Sequence, residues 1–332
     1  MKKYLFLVIA LCYTVVTNAQ GTDQSSAILQ HGDEATFFKG STAFKQAYAA
    51  AADGDVIILS EGTFEPERIE KSLTIYGAGF EKNAETNTAI TAFSGYVYVG
   101  NSNIVLDGFH MEGVKVMGTL QFDYEVKNSI IQKCYITENI RFKKNIENVT
   151  VKQCRTSGPI LGENTVVASG LLVANCYFGS NVRTFNRESF INVDHCLLGR
   201  YGNEDNAQIL FTNTIIYGNY TSTSSTVGQY STVKNCIAHT DFGGLPGNAH
   251  TDGTFYRIDI ATIFADAENA GYTETRTFEL NDPETYKGTD GTPIGPSGGA
   301  GWNKVPSKPS VANLKTSVSG TNLNVTYTPQ VK

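Results

Sequence analysis

Three clusters in this sequence hold residue types that do chemistry. Asp194-His195-Cys196 sets an acid, a base and a thiol in succession, the ingredients of a nucleophilic triad. Arg141, Lys143 and Lys144, then Glu163, then Arg183 and Arg187, with Arg200 nearby, follow successive cysteines, most of them seven to eleven residues on. Arginine pairs planar anions through two parallel hydrogen bonds, so such a strip suits carboxylates or sulfates. The stretch from His239 to Gly253 carries two His-Thr-Asp triplets, His239 to Asp241 and His250 to Asp252, and ends near Arg257. Acid-base pairs or a calcium site would use those groups, and Gly-rich loops of this composition are also ordinary turn-formers.

What these groups can do depends on the elements that hold them, and the chain repeats. Ile130 to Ile136, Thr150 to Cys154, Leu172 to Phe178, Asn192 to Leu198, Leu210 to Ile216 and Thr232 to Ala238 align on one another, with Val105 to Met111 as a degenerate earlier copy that puts Phe109 in the cysteine slot. Equivalent positions lie 18 to 25 residues apart, a solenoid period with variable insertions. Each copy is two short β-type runs around a polar pair that often ends in Asn175, Asn213, Asn235 or Gly108, residues that tolerate a left-handed backbone and so mark a corner. Val151, Val173, Val193, Phe211 and Val233 then point inward before the corner. The Cys or Thr, followed by Ile136, Phe178, Leu198 and Ile216, points inward after it. Alternation and β-branching rule out amphipathic helices here.

That register changes the reading of the chemistry. His195 falls in the corner slot that Lys133, Gln153 and Asn175 hold elsewhere and Cys196 faces the core, so the triad is set aside. Five cysteines, Cys134, Cys154, Cys176, Cys196 and Cys236, share one slot. Side chains stacked in parallel keep their Cβ atoms about 4.8 Å apart, whereas a disulfide needs about 3.8 Å, so buried free thiols are expected. The basic strip has a plain alternative: a solvated face with Glu163, Glu188 and Asp205 as internal partners. Tyr135, Tyr177, Tyr201 and Tyr217 form a candidate aromatic row for sugar stacking, the first two sent outward by alternation.

The coils resemble those of right-handed parallel β-helix proteins of the pectate-lyase-like superfold, over roughly residues 55 to 265. Asp55 to Phe64 and Lys71 to Gly79 look like the opening coils of secreted bacterial members, and Tyr286 to Gly299 like their closing segment. The expected architecture is an all-β, single-stranded right-handed parallel β-helix over 55–300. Residues 20–54 precede it with a capping helix from Thr42 to Ala52, and a tail over 301–332 carries a hairpin of Leu314 to Val318 and Leu323 to Tyr327. The resemblance implies a choice of activities. Lyases of this kind need Ca2+ or an Arg against a uronate carboxylate and a Lys or Arg near the departing proton, and no aspartate cluster at calcium-ligand spacing stands beside the basic residues. The hydrolases place acidic groups on adjacent coils. Of their Asn-Thr-Asp, Asp-Asp, Gly-His-Gly and Arg-Ile-Lys segments, only Tyr256-Arg-Ile-Asp259 gives an echo, and it lacks the Lys.

The first residues and the charge bound the setting. Lys2 and Lys3, the apolar run from Tyr4 to Val16 and Thr17-Asn18-Ala19 read as a signal peptide over 1–19, and Leu11 before Cys12 argues against a lipid anchor. Cleavage takes the formal charge from −6 to −8, which excludes nucleic acid as a partner. No later run is long and apolar enough for a membrane span. The expectation is a monomeric secreted or cell-surface protein that binds polysaccharide along its side or serves a structural or adhesive role. Polysaccharide lyase is the alternative and glycoside hydrolase the more distant one, so enzymatic activity stays open. No cofactor is required, with Ca2+ the one left open. The candidate ligand-binding residues are Arg141, Lys143, Lys144, Arg183, Arg187, Asp241, His250, Asp252 and Arg257.

Overall fold

The structure, a computed structural model, describes residues 25–32, 34–199, 207–217, 230–239, 250–266, 271–307, 309–319 and 322–331. Residues 1–19, expected to be a leader and including Cys12, lie outside the described residues, as do Arg200, Tyr201, Asp205 and Asp241. The chain is an all-β parallel solenoid of about 8 turns, and each full coil passes through three sheets. One coil runs through Ile130–Gln132 in the first sheet, Tyr135–Ile136 in the second and Ile140–Phe142 in the third, and the next repeats the path through Ile146–Lys152, Arg155–Thr156 and Ile160–Leu161. Rungs pair in parallel and in register, as in Ile131 with Val151 and Ile136 with Thr156.

From Gly113 onward the corner between the first and second sheets has a left-handed residue in each coil: Gly113, Lys133, Gln153, Asn175, His195, Asn213, Asn235 and Gly253 all have φ between 47° and 71°. The slot that follows is the cysteine column. Each thiol there is buried and donates to a carbonyl two residues back and to one on the preceding coil, as Cys154 Sγ does to Lys152 (3.3 Å) and Ile131 (3.5 Å). Thr214 Oγ1 does the same to Thr212 (2.8 Å) and Val193 (3.3 Å). From Cys134 onward the slot therefore takes Cys or Thr, a small side chain whose donor both fills the corner and satisfies its carbonyls. The five cysteines among the described residues are free, and burial pushes the Cys236 thiol up to about 12. Native protein lacking residues 1–19, and with them Cys12, is expected to resist alkylation and to give five labelled thiols once denatured without reductant; mass spectrometry counts them. Modification in the native state would mean that the column is open to solvent.

The register corrects one repeat. Ile131 pairs with Met111, so Val114, not Phe109, stands in the cysteine column, and this coil too is 20 residues long rather than 25. Gly108 belongs to a second left-handed corner, shared with Asn128, Asn148 and Gly170. Two corners with the same local chemistry are interchangeable to an alignment of the sequence with itself.

The ends are built differently from one another. At the start, strands Ser26–His31 and Glu34–Lys39 form an antiparallel hairpin whose first strand pairs with Val56–Leu59, and helix Ala43–Ala50 packs beside it. Phe44 of that helix meets Phe93 edge-on at 4.8 Å. The helix was legible in the spacing of Phe44, Tyr48 and Ala51, but the hairpin was not. At the other end, residues 286–307, which include the segment that resembles a closing piece, run back along the side of the solenoid and dock on the corner column. Asn213 Nδ2 bonds Thr289 Oγ1 (3.2 Å), His195 Nε2 contacts Thr292 Oγ1 (3.0 Å), and Asn175 Nδ2 donates to Pro296 O (3.0 Å) and Gly298 O (2.6 Å). Gln153 Nε2 then bonds Gly301 O (2.8 Å), and the buried carboxylate of Glu112 accepts from Ser307 N (2.6 Å). This strap leads into an antiparallel hairpin of Pro309–Ser319 and Asn322–Val331.

Candidate functional site on the third sheet

The third sheet stacks Val97–Val99, Leu120–Phe122, Ile140–Phe142, Ile160–Leu161 and Val182–Arg183. Strand alternation buries Val97, Leu120, Ile140, Ile160 and Val182 and turns the next residue of each rung outward. The outward column is Tyr98, Gln121, Arg141, Leu161 and Arg183, all in register. Arg141 and Arg183 thus occupy one column two rungs apart, about 9.6 Å at the usual strand spacing.

The charges around this column are partly spent on one another. Asp123, in the turn after Phe122, receives Arg68 at 2.8 Å, Lys143 at 3.3 Å and Gln121 Nε2 at 2.7 Å. Burial pushes its carboxyl up, but the bonds from Arg68, Gln121 and Lys143 outweigh that and hold it below its ordinary value. The Arg68 guanidinium also lies over the Tyr98 ring at 5.1 Å, and the Tyr96 ring is 6.2 Å from that of Tyr98. Arg141 reaches Glu163 at 3.3 Å while its Nε has no hydrogen-bond partner. Arg183 is exposed and has no ion pair among the described residues. Two or more guanidinium groups on a pleated surface, with tyrosine rings at one end, can hold a chain of anionic groups.

The remaining candidates sit elsewhere. Lys144 is exposed in the turn after the third sheet, and Arg187, in the equivalent turn two coils on, lies over Tyr230 at 4.4 Å. His250–Asp252 forms the last rung of the first sheet, opposite Thr232–Lys234, and the exposed Arg257 follows the same coil. These three are four coils beyond Arg183 and on another side, so the structure does not bring them to the strip. Among the described residues, no three His, Cys, Asp or Glu side chains converge as metal ligands. His195 is buried in its corner, bonded to Asp194 Oδ2 at 3.0 Å and to Thr292, while Cys196 faces the core. Burial raises the Asp194 carboxyl, but its bonds with His195, Thr212 and Asn213 win and keep it low. The group holds the strap rather than a substrate.

The tyrosine row is corrected as well. Tyr135 and Tyr177 do leave the second sheet outward, but the outward column there continues as Leu197, Ile215 and Ile237, and residues 260–266 and 271–302 cover it. Tyr177 stacks on Phe278 at 5.7 Å, Tyr217 joins the same apolar layer, and Tyr135 packs under the Arg155 guanidinium at 4.0 Å. The aromatic rings at the strip are instead Tyr96 and Tyr98, with Arg68 and Asp123, none of which the repeat pointed to. The alternating Val97-Tyr98-Val99 was the available signal, one coil before the recognisable copies begin.

Fold and site together define a parallel β-solenoid protein with a charged third face and a strap along its side. Compared with known proteins, the chain matches no family model, no curated protein and no solved structure. The resemblance to pectate-lyase-like proteins therefore rests on the coil, opening and closing motifs of the sequence, with no matched relative behind it. Among the described residues no helix is long and apolar enough to cross a membrane.

Proposed function

We propose that this is an extracytoplasmic solenoid protein that binds an acidic polysaccharide along its third sheet. One observation carries the reading: Arg141 and Arg183 point outward in a single register column. A β-solenoid rung is close in length to one sugar ring of an extended glycan, so a column two rungs apart meets anionic groups on alternate residues of such a chain. The surrounding acids, Asp123 and Glu163, hold Lys143, Arg68 and Arg141 in place, and a polyanion competes with them for those cations. The reading of residues 1–19 as a leader goes with this proposal, since such glycans lie outside the cytoplasm.

Calorimetric titration with oligogalacturonate, alginate and sulfated oligosaccharides tests this, with ultraviolet absorbance followed in the same samples, with and without calcium. Saturable binding that weakens with salt is the expected result. Binding accompanied by rising absorbance from unsaturated product would make the same face that of a lyase. Silence across the whole panel would remove the polysaccharide reading and leave a structural role.

A further inference from the structure

Three contacts where the strap meets His195 need three protons. Nδ1 of the ring faces Asp194 Oδ2 at 3.0 Å, Nε2 faces Thr292 Oγ1 at 3.0 Å, and Thr292 Oγ1 lies 2.8 Å from Asp290 Oδ1. A carboxylate oxygen only accepts, so the single proton of the Thr292 hydroxyl goes to Asp290, and the Gly299 N–H fills one of the remaining lone pairs at 2.7 Å. A neutral imidazole brings one further proton and leaves a contact without any. An imidazolium brings two and fills all three. Both carboxylates are in the ionised form that this count requires. Burial pushes each up, but bonds from His195, Thr212 and Asn213 to Asp194, and from Thr292 to Asp290, outweigh it and hold them low.

The surroundings favour the same charge. His195 is 1% exposed, and a Cβ on Gly298 or Gly299 would come within 3.0 Å of the ring, so the strap lies directly on the imidazole. Asp290 Oδ1 stands 3.6 Å from Nε2. The flanking coils present the amides of Asn175 and Asn213 and the Thr212 hydroxyl, and Cys196 faces the core. Lys152 and Lys234, in the outward column of Asp194, are each two rungs away, about 9.6 Å at the usual strand spacing.

We propose that a protonated His195 latches the strap, so that docking takes up a proton and the latch loosens as the pH rises. Asn175 and Asn213 hold the adjoining stretches with amides that do not titrate. Released, the imidazole meets water and sheds its extra proton above about pH 6.5. The latch is therefore complete below about pH 6.5 and weakens above it, the opening constant growing by up to about tenfold per pH unit for one proton. Asp194 and Asp290 act with the opposite sign, contributing above about pH 4 and failing as the pH falls below it. Ile294 of the strap shares an apolar layer with Leu197 and Ile215, which opening would bare.

Magnetic resonance of the full chain with isotope-labelled histidine should show a proton on both ring nitrogens of His195 at about pH 7.5, where a free imidazole carries only one. His195→Asn identifies the signal, and Asn holds the same left-handed corner at Asn175 and Asn213. Trypsin cleavage at the strap residues Lys287 and Lys304 reports opening when reclosing is faster than cleavage. Divided by the rate for His195→Asn, which cancels the pH dependence of the protease, cleavage should rise by up to about tenfold per pH unit above about pH 6.5. Asp290→Asn, at an exposed position, should raise cleavage at about pH 6.5 and flatten the rise, and it keeps the test open if His195→Asn misfolds. A proton on only one ring nitrogen at about pH 7.5, a cleavage ratio that stays flat with pH, or an Asp290→Asn protein that follows the unaltered one at every pH would each overturn the proposal.

Discussion

Gly298→Ala is expected to undock the strap and to lower stability by about 2–4 kcal/mol, from overpacking and lost buried hydrogen bonds. A Cβ at this position would sit 1.8 Å from Pro293 O and 2.6 Å from the His195 ring. Neither can retreat, because one is backbone and the other is held between Asp194 and Thr292. The strap must lift there, and the bonds from Asn175 to Pro296 O and Gly298 O go with it. Thermal unfolding and limited proteolysis check this: new cleavage should appear between residues 283 and 305 before the coils melt. Gly95→Ala is the control, since nothing lies within 4 Å of its Cβ, and it should change stability by no more than about 0.5 kcal/mol. If Gly298→Ala behaves like the control, the strap does not lie in this corner.

The second large effect concerns the third sheet, where substitutions should act in opposite directions. Replacing both Arg141 and Arg183 with alanine removes two charge-assisted contacts to a bound polyanion, each worth about 1.5–3 kcal/mol, so affinity should fall by a factor of about 100 or more. Both side chains leave the solenoid outward, and the fold should persist. Asp123→Asn should instead raise affinity, because the carboxylate now binds Arg68 and Lys143. Surface ion pairs are worth about 0.2–1 kcal/mol, which limits the gain to about fivefold. Calorimetry on the three proteins at two salt concentrations separates the outcomes. Equal affinity for all three would place polyanion binding somewhere other than this column.

Much of the coil was legible without coordinates. The inward column of Val151, Val173, Val193 and Phe211, the corner at Asn175 and the buried free cysteines follow from strand alternation and left-handed backbone, both of which act within a few residues. The same locality produced the error at Phe109, because Asp107-Gly108 forms a corner as good as the one at Gly113. The triad at Asp194 to Cys196 could be dismissed for the same reason: a corner residue and its successor face different ways. Arg141 and Arg183 were legible as a strip by their distance from the cysteine column, and their shared register is the form that the strip takes.

What the sequence could not yield depends on contacts between distant parts of the chain. Arg68 meets Asp123 only because turns from separate coils are stacked, and unequal insertions hide which turns those are. Leu197, Ile215 and Ile237 look like surplus apolar residues in their coils until residues 260–266 and 271–302 return to cover them, and that return turns an outward tyrosine row into part of an inner layer. By itself the sequence determined the coil, its corners and its core, since each is fixed by the alternation and backbone preference of neighbouring residues. The tertiary structure alone decided which faces remain open, which cations are already paired and where the strap docks, since those depend on how far-separated segments pack together.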